Sequence, residues 1–342
     1  MAGAAWAIAE VGVDGLPTRL ALELATAARL IAGASGGAAA AVVAGPDPAA
    51  AAAVLADYVP RVLAVRAAAG AGPDVARAIA TLAGADGSRD GRDAADAPAP
   101  ADTPDVILLG ATPEGREAAG VLAARLHLGV LGNATALRWG SGDDGAPPGP
   151  RVEKSVLGGR AVTTSAFTAG RGIVTLRPGA AAASPSGAPG AVEAVALAVA
   201  APVARVVARA AAAGRSASVE EAAIVVAGGR GLGGPDGVAL LRELADALGG
   251  AVAATRAAVD AGWMPFDVQV GQTGRTVRPA VYVAIGVSGA IQHRVGMQDA
   301  ETIVAVNRDP DAPLVEHADL YVVGDLFDVV PALVAALRAR RT

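Results

Sequence analysis

Residues 222–250 read AAIVVAGGRGLGGPDGVALLRELADALGG, and no other stretch restricts the fold as tightly. Ala222–Ala227 is a short uninterrupted apolar run, the pattern of a strand buried on both faces. GGRGLGG (Gly228–Gly234) follows it directly. Pro235 and Asp236 then open a helix: proline has no amide hydrogen to lose in a first turn, and an acid there meets the positive end of the helix dipole. Leu240, Leu241, Leu244 and Leu248 recur at helical spacing until Gly249 and Gly250 stop the run. Strand, glycine turn and helix in that order commit the region to an open α/β sheet. Gly229, Gly231 and Gly234 fit G-x-G-x-x-G, where bare backbone lets a phosphate approach and the helix N-terminus favours an anion. A tight turn without a ligand would carry the same glycines.

The residues beyond this unit favour the ligand. Four more short apolar strands are expected at Ala251–Ala254, Val281–Ile285, Thr302–Val306 and Leu320–Val323. Polar side chains collect at or just past the carboxyl ends of all five: Arg230, then Thr255 with Arg256, then Ser288, Asn307 and Asp325. Ligands of open parallel sheets bind outside those ends, so a series of this kind points to a ligand where one residue would not. A simple NAD site is disfavoured. Its fingerprint places an acid about 20 residues on, at the end of the second strand, to hold the ribose. Thr255 and Arg256 stand there, and Asp260 reads as part of the following helix.

The N-terminal part alternates in the same way. Strands are expected at Trp6–Val11, Ala38–Ala44, Asp105–Gly110, Val162–Ala166 and Gly172–Leu176, with a weaker one at Val62–Val65. Thr18–Ala32 has helical spacing, with Leu20, Leu24, Ala27 and Ile31 on one face. A second helix spans Thr112–Arg125, with Pro113 in its first turn. Gly140–Pro150 is turn-rich, and Gly84–Pro104 reads as a mobile polar surface insertion. Ser184–Gly190 has linker composition, and Ala191–Ala213 reads as a helical or irregular connector. A chain of 342 residues exceeds the roughly 250–300 at which a single core stops growing. The expected division is residues 1–190, a connector at 191–215, and 216–342. No internal repeat of fixed period is present.

Composition removes several classes of function. With no cysteine, thiolate metal sites, cysteine nucleophiles and cysteine-ligated iron–sulfur clusters are excluded. His127, His293 and His317 lie too far apart for metal-ligand spacing. A net charge of -5 carries no footprint for nucleic acid. The most apolar stretch, Ala194–Ala204, is too short to span a membrane and is followed by Arg205 and Arg209. Glu10 and Asp14 precede the first basic residue, Arg19, which is the wrong order for a secretory or transit signal. A soluble cytoplasmic protein is expected. No nucleophile–base pair or paired general acid and base is identifiable.

TRAAVDAGWMP (Thr255–Pro265), QVGQTG (Gln269–Gly274), GVSGAIQHRVGM (Gly286–Met297), TIVAVNRDPDAP (Thr302–Pro313) and DLFDVVP (Asp325–Pro331) together resemble the electron-transfer flavoprotein alpha subunit, in that family's order and spacing. DVILLGATPEGRE (Asp105–Glu117) and VTLRPGA (Val174–Ala180) agree more loosely. The departures are the Gly84–Pro104 insertion and Thr255, where many members have serine. The resemblance implies an N-terminal α/β nucleotide-hydrolase-like domain packed on a beta subunit. It also implies a C-terminal doubly wound parallel-sheet domain that binds FAD, with AMP in the beta subunit. It further implies an electron carrier between acyl-CoA and related dehydrogenases, as in fatty acid β-oxidation, and a membrane quinone oxidoreductase.

By that resemblance the Thr273 hydroxyl would meet flavin N5, and Arg256 would lie over the ring and favour its reduced, negatively charged forms. His293, as a cation near N1 and O2 at a helix start, would act in the same sense. Ser288 and Gln292 would meet the ribityl chain or pyrophosphate, with Gly289, Ala290 and Ile291 in the same loop. Asn307 and Asp325, with Leu326, would meet the adenosine, and Arg230 a phosphate or the ring edge. Thr255, Gln272 and the backbone of Val270 and Gly271 complete the set. His127 and His317 read as structural. Two alternatives stay open: an electron-bifurcating relative with a second FAD in place of AMP, and a nucleotide-binding protein without redox function.

Overall fold

The computed structural model describes residues 4–12, 14–66, 72–84, 104–143, 145–156, 161–196, 219–220 and 222–340. They fall into two compact units, within residues 4–196 and from residue 219 onward. The expected insertion, apart from Gly84 and Pro104, lies outside the described residues, as does the connector beyond residue 196.

In the first unit β1 (Ala5–Ala9) leads through α1 (Arg19–Ser35) to β2 (Ala39–Gly45), and α2 (Ala49–Leu55) leads to β3 (Arg61–Arg66). Then follow α3 (Gly72–Leu82), β4 (Val106–Gly110), α4 (Pro113–Leu126) and β5 (Val130–Ala134). β6 (Ala136–Gly140), β7 (Gly149–Val156) and β8 (Ala161–Ala166) form a separate antiparallel sheet. β9 (Gly172–Leu176) and β10 (Ala191–Ala196) complete a seven-stranded parallel sheet of order β10-β3-β2-β1-β4-β9-β5. Successive residues of a strand point to opposite faces, and each strand here feeds two cores. Ala5, Ala7 and Ala9 join Val106 and Leu108 beneath α1, whereas Trp6 and Ile8 join Ile107 and Leu109 beneath α3 and α4. Alanine on sheet and helix lets these layers approach closely. The Thr18 hydroxyl caps α1 by accepting from Ala21 N, and Leu20, Leu24, Ala27 and Ile31 are all buried, as their spacing required.

The expected strands and helices recur with ends shifted by one to three residues. Two expectations change. Ser184–Gly190 is fastened to the first unit, with Ser184 N on Thr26 Oγ1 at 3.1 Å and Ser186 Oγ on the Asp57 carbonyl at 2.9 Å. The segment that follows, expected to be helical or irregular, is β10. It pairs in parallel with β3 and is held by Arg61 Nε on Glu193 Oε1 at 2.8 Å. Its run AVEAVA favours helix by alanine content, and the strand exists because an edge of the sheet is there to pair with.

The second unit begins with β11 (Ile224–Gly228), α5 (Pro235–Leu248), β12 (Ala251–Ala254), α6 (Arg256–Asp260) and β13 (Val281–Ile285). It continues with α7 (Ile291–Arg294), β14 (Thr302–Asn307), β15 (Leu320–Val323) and α8 (Leu326–Ala339). The five strands are parallel, in the order β12-β11-β13-β14-β15, so the chain winds in both directions from β11. α5 and α8 cover one face. The other is covered largely by irregular chain, through Val270, Val277, Val287, Met297 and Leu314.

Candidate functional site

Because the five strands are parallel, their carboxyl ends share one rim, and the reversal of winding at β11 opens a crevice between the β11 and β13 ends. The glycines of the fingerprint act in closing the base of that crevice. A Cβ on Gly229 would lie 2.3 Å from the Gly286 carbonyl oxygen, and one on Gly231 would lie 2.7 Å from Gly286 Cα. Gly286 itself has φ of 62°, the left-handed region. The amides are already engaged: Gly229 N donates to Ile285 O and Gly231 N to Gly286 O, both at 3.0 Å. These two glycines therefore interlock two strand ends: the close backbone approach expected of them is made to Gly286.

Past β12 the chain turns at once, with Thr255 N on the Gly228 carbonyl at 2.9 Å. Thr255 is buried and its Oγ1 has no hydrogen-bond partner among the described residues. A buried hydroxyl left unmet costs about 1–3 kcal/mol, which makes this atom a candidate ligand contact. Arg256 stands beside it at the solvent side, paired among the described residues only with Asp260 (3.2 Å) one helical turn on, with both side chains mostly exposed. Arg230 is exposed in the short turn after β11.

The loop 269–275 is fixed on three sides. Val270 N donates to Ala254 O at 2.9 Å, Gln272 N to Gln292 O at 2.7 Å, and Arg275 N to Gln269 O at 2.7 Å. Gly271 has φ of 143°, and a Cβ there would meet Gln292 O at 2.7 Å. Gln269 is buried, and its Nε2 donates to Thr273 Oγ1 at 3.1 Å. With its oxygen accepting, the exposed Thr273 hydroxyl has its proton free to donate outward.

His293 departs from expectation. It is buried and lies in the four-residue α7, with Nδ1 3.0 Å from the Val270 carbonyl and Nε2 2.9 Å from the Tyr282 hydroxyl. A carbonyl can only accept, so Nδ1 carries a proton, and in the neutral ring Nε2 accepts from the Tyr282 hydroxyl. Burial pushes the imidazole pKa down to about 4, against a smaller opposing effect of the Val270 carbonyl. The ring is neutral at pH 7, so the expected cation is absent here, and His293 serves as a post between β13 and the 269–275 loop. Burial likewise pushes the Tyr282 hydroxyl up, so it stays a neutral donor. Tyr282 and Gln269 escaped the sequence reading. The one polar atom inside the apolar run VYVAI was the available signal, because a buried tyrosine hydroxyl needs a partner.

Farther along the rim, the loop after β13 is shaped by Gly289, whose φ is 84° and whose Cβ would lie 2.6 Å from Leu314 N. Ser288, Ala290, Ile291 and Gln292 are exposed around it, and Ser288 O accepts from Leu314 N at 3.1 Å. Asn307 is half-buried; its Nδ2 donates to Val287 O at 3.1 Å and its Oδ1 accepts from Asp309 N at 3.3 Å. Asp325 caps α8 by accepting from Phe327 N at 2.9 Å, and Leu326 is buried in the core. The fold thus gathers Thr255, Arg256, Val270–Thr273, Gln292 and His293 near the β12 end, and groups Asn307, Asp325 and Leu326 at the β14–β15 end. Among the described residues no group of three or more His, Asp or Glu could hold a metal, and no helix is long and apolar enough to cross a membrane.

Such a rim, with an unmet hydroxyl, outward arginines and a fixed loop over a switch-point crevice, belongs to the class of α/β proteins that hold an extended cofactor at the carboxyl ends of a parallel sheet. Comparison with known families narrows the class. Residues 218–298 match the electron transfer flavoprotein FAD-binding domain, and residues 5–202 match the electron transfer flavoprotein domain. The chain is 42% identical over 242 residues to the electron transfer flavoprotein subunit alpha of Mycobacterium leprae, covering 70% of this chain and 73% of the relative. It is 41% identical over 255 residues to that of Mycobacterium tuberculosis (69% and 72% covered). It is 39% identical over 237 residues to the protein FixB of Clostridium saccharobutylicum (68% and 70%). The chain belongs to the electron transfer flavoprotein alpha-subunit family.

Proposed function

We propose that this chain holds one FAD along the carboxyl rim of its C-terminal sheet and carries electrons as half of a heterodimer with a beta subunit that contains AMP. The matched FAD-binding domain coinciding with a rim that leaves the Thr255 hydroxyl buried and unmet is the observation that carries this reading. When bound, the flavin supplies the redox chemistry, and the protein sets its potential and its exposure.

In this reading Thr255 and Thr273 offer hydroxyls to the ring, and Arg256 offers a positive charge that favours its reduced, negatively charged forms. Gln269 turns the Thr273 proton outward. His293 adds no charge; with Tyr282 it keeps the Val270–Gln272 backbone in place. Ser288, Gln292 and the loop at Gly289–Ile291 take the ribityl chain and pyrophosphate, and Arg230 a phosphate. Asn307, Asp325 and Leu326 border the adenosine end, where their hydrogen bonds shape the wall. The chain then has no substrate of its own. Electrons arrive from acyl-CoA and related dehydrogenases and leave to a membrane quinone oxidoreductase.

The test is the nucleotide content and visible spectrum of the heterodimer purified with its companion subunit. One FAD and one AMP per heterodimer, with bleaching on addition of an acyl-CoA dehydrogenase and its substrate, is the expected result. Two FAD would assign the protein to electron bifurcation instead. A colourless heterodimer that cannot take up FAD would overturn the proposal.

A further inference from the structure

The N-terminal unit has a switch point of its own: β1 lies between β2 and β4, and the chain builds outward from it in both directions. Outside the carboxyl ends of these strands is a cavity of about 350 Å³. That is within the range of small-molecule sites, roughly 300–1,000 Å³. Its walls are mainly apolar, from Ile8, Val11, Val43, Val75 and Leu109. Among the described residues its charged lining is Glu10, Asp47 and Glu114, with no arginine, lysine or histidine.

The first turn of α4 is where such a fold would seat a phosphate. Here the Thr112 hydroxyl accepts from Gly115 N at 2.9 Å and donates to Glu10 Oε1 at 2.5 Å. Gly110 and Gly115 make the room: a Cβ on either would lie within 3.1 Å of that carboxylate oxygen. The chain's own Glu10 therefore occupies the anion position, and a second anion beside it would be repelled.

We propose that this cavity is a second ligand site, selective for a small organic molecule with an apolar or aromatic body and an ammonium or amino group, and closed to phosphates. The inference is independent of the flavin reading. Gly45 lines the cavity, and a Cβ there would meet nothing within 4 Å, so Gly45→Val adds its side chain to the cavity wall from an unobstructed Cβ. Tryptamine and AMP serve as probes of the full-length protein with its companion subunit, by equilibrium dialysis, with near-UV circular dichroism and Tm checking that each variant folds. The expected result is one saturable tryptamine site, weakened at least tenfold by Gly45→Val and by Glu10→Gln, with AMP content the same in wild type and Gly45→Val. Unsaturable tryptamine binding, or binding indifferent to either variant, would overturn the proposal. So would AMP uptake that falls with Gly45→Val, because the cavity would then accept phosphate.

Discussion

The neutral His293 makes stability depend on acid in a way that can be worked out in advance. Its folded pKa is about 4, against 6.5 for a free imidazole, because it is buried between Tyr282 and the Val270 carbonyl. Between those values the unfolded chain binds a proton that the folded chain refuses, so stability rises with pH across the window. The contribution is fully present above about pH 7 and is lost as pH falls from 6.5 towards 4. At about 1.4 kcal/mol per pH unit the loss is roughly 3 kcal/mol, a large share of the 5–15 kcal/mol typical of a domain. Urea unfolding of flavin-free protein, from pH 7.5 to 4.5, measures it. Carboxylates titrate in the same range, so the comparison is with His293→Gln, which cannot take up the proton; the exposed His127 and His317 cancel between the two proteins. The variant is expected to be less stable at pH 7.5, and the gap should close by most of those 3 kcal/mol at pH 4.5. A gap constant across the range would refute the reasoning, as would an imidazole resonance of His293 titrating near 6.5.

Three shorter expectations follow. Thr255→Val removes a hydroxyl that the folded chain leaves unmet, so flavin-free stability should hold or rise by up to about 1 kcal/mol while FAD is retained less tightly; unchanged retention in dialysis would separate this hydroxyl from the cofactor. Gly286→Ala places a Cβ 2.8 Å from Gly231 Cα at a φ of 62°, and should cost about 2 kcal/mol or more, read as a fall in Tm. Arg256→Ala breaks only an exposed pair with Asp260, so stability should change by under about 0.5 kcal/mol. The flavin potential should nevertheless drop, and an identical redox titration would remove Arg256 from the site.

What could be read from the residues was the part set by local pattern. DVILLG and AAIVVA are strands because a short apolar run flanked by turns has few other uses, and both have a neighbour on each side in their sheets. The strands that escaped were β5, β6, β7 and β10, with runs VLGNA, ALRWG, GPRVEKSV and AVEAVA. They lie at a sheet edge or in the small antiparallel sheet, and their partners, not their composition, decide them. Arg151 shows the same limit. It is an arginine inside β7, yet fully buried, its guanidinium on the carbonyls of Ala146, Pro147 and Gly149. In the site, positions at strand ends were legible, and states were not. The charge of His293 depends on partners 11 and 23 residues away along the chain.

Glycine at a strand's carboxyl end carries two meanings that a motif cannot separate. Gly229 and Gly231 have the spacing of a phosphate turn and are used to interlock β11 with β13. Gly110 and Gly115 open space at a helix start, and the chain fills it with its own Glu10. What distinguishes an open rim from a closed one is whether a buried polar atom has been left unmet. The Thr112 hydroxyl is used on both sides, donating to Glu10 and accepting from Gly115, so no anion is wanted there. The Thr255 hydroxyl, equally placed at the start of a helix after a parallel strand, is used on neither. That difference in satisfied bonds, and not the glycines, is what favours the proposed FAD site at the second sheet and the proposed cationic-ligand site at the first.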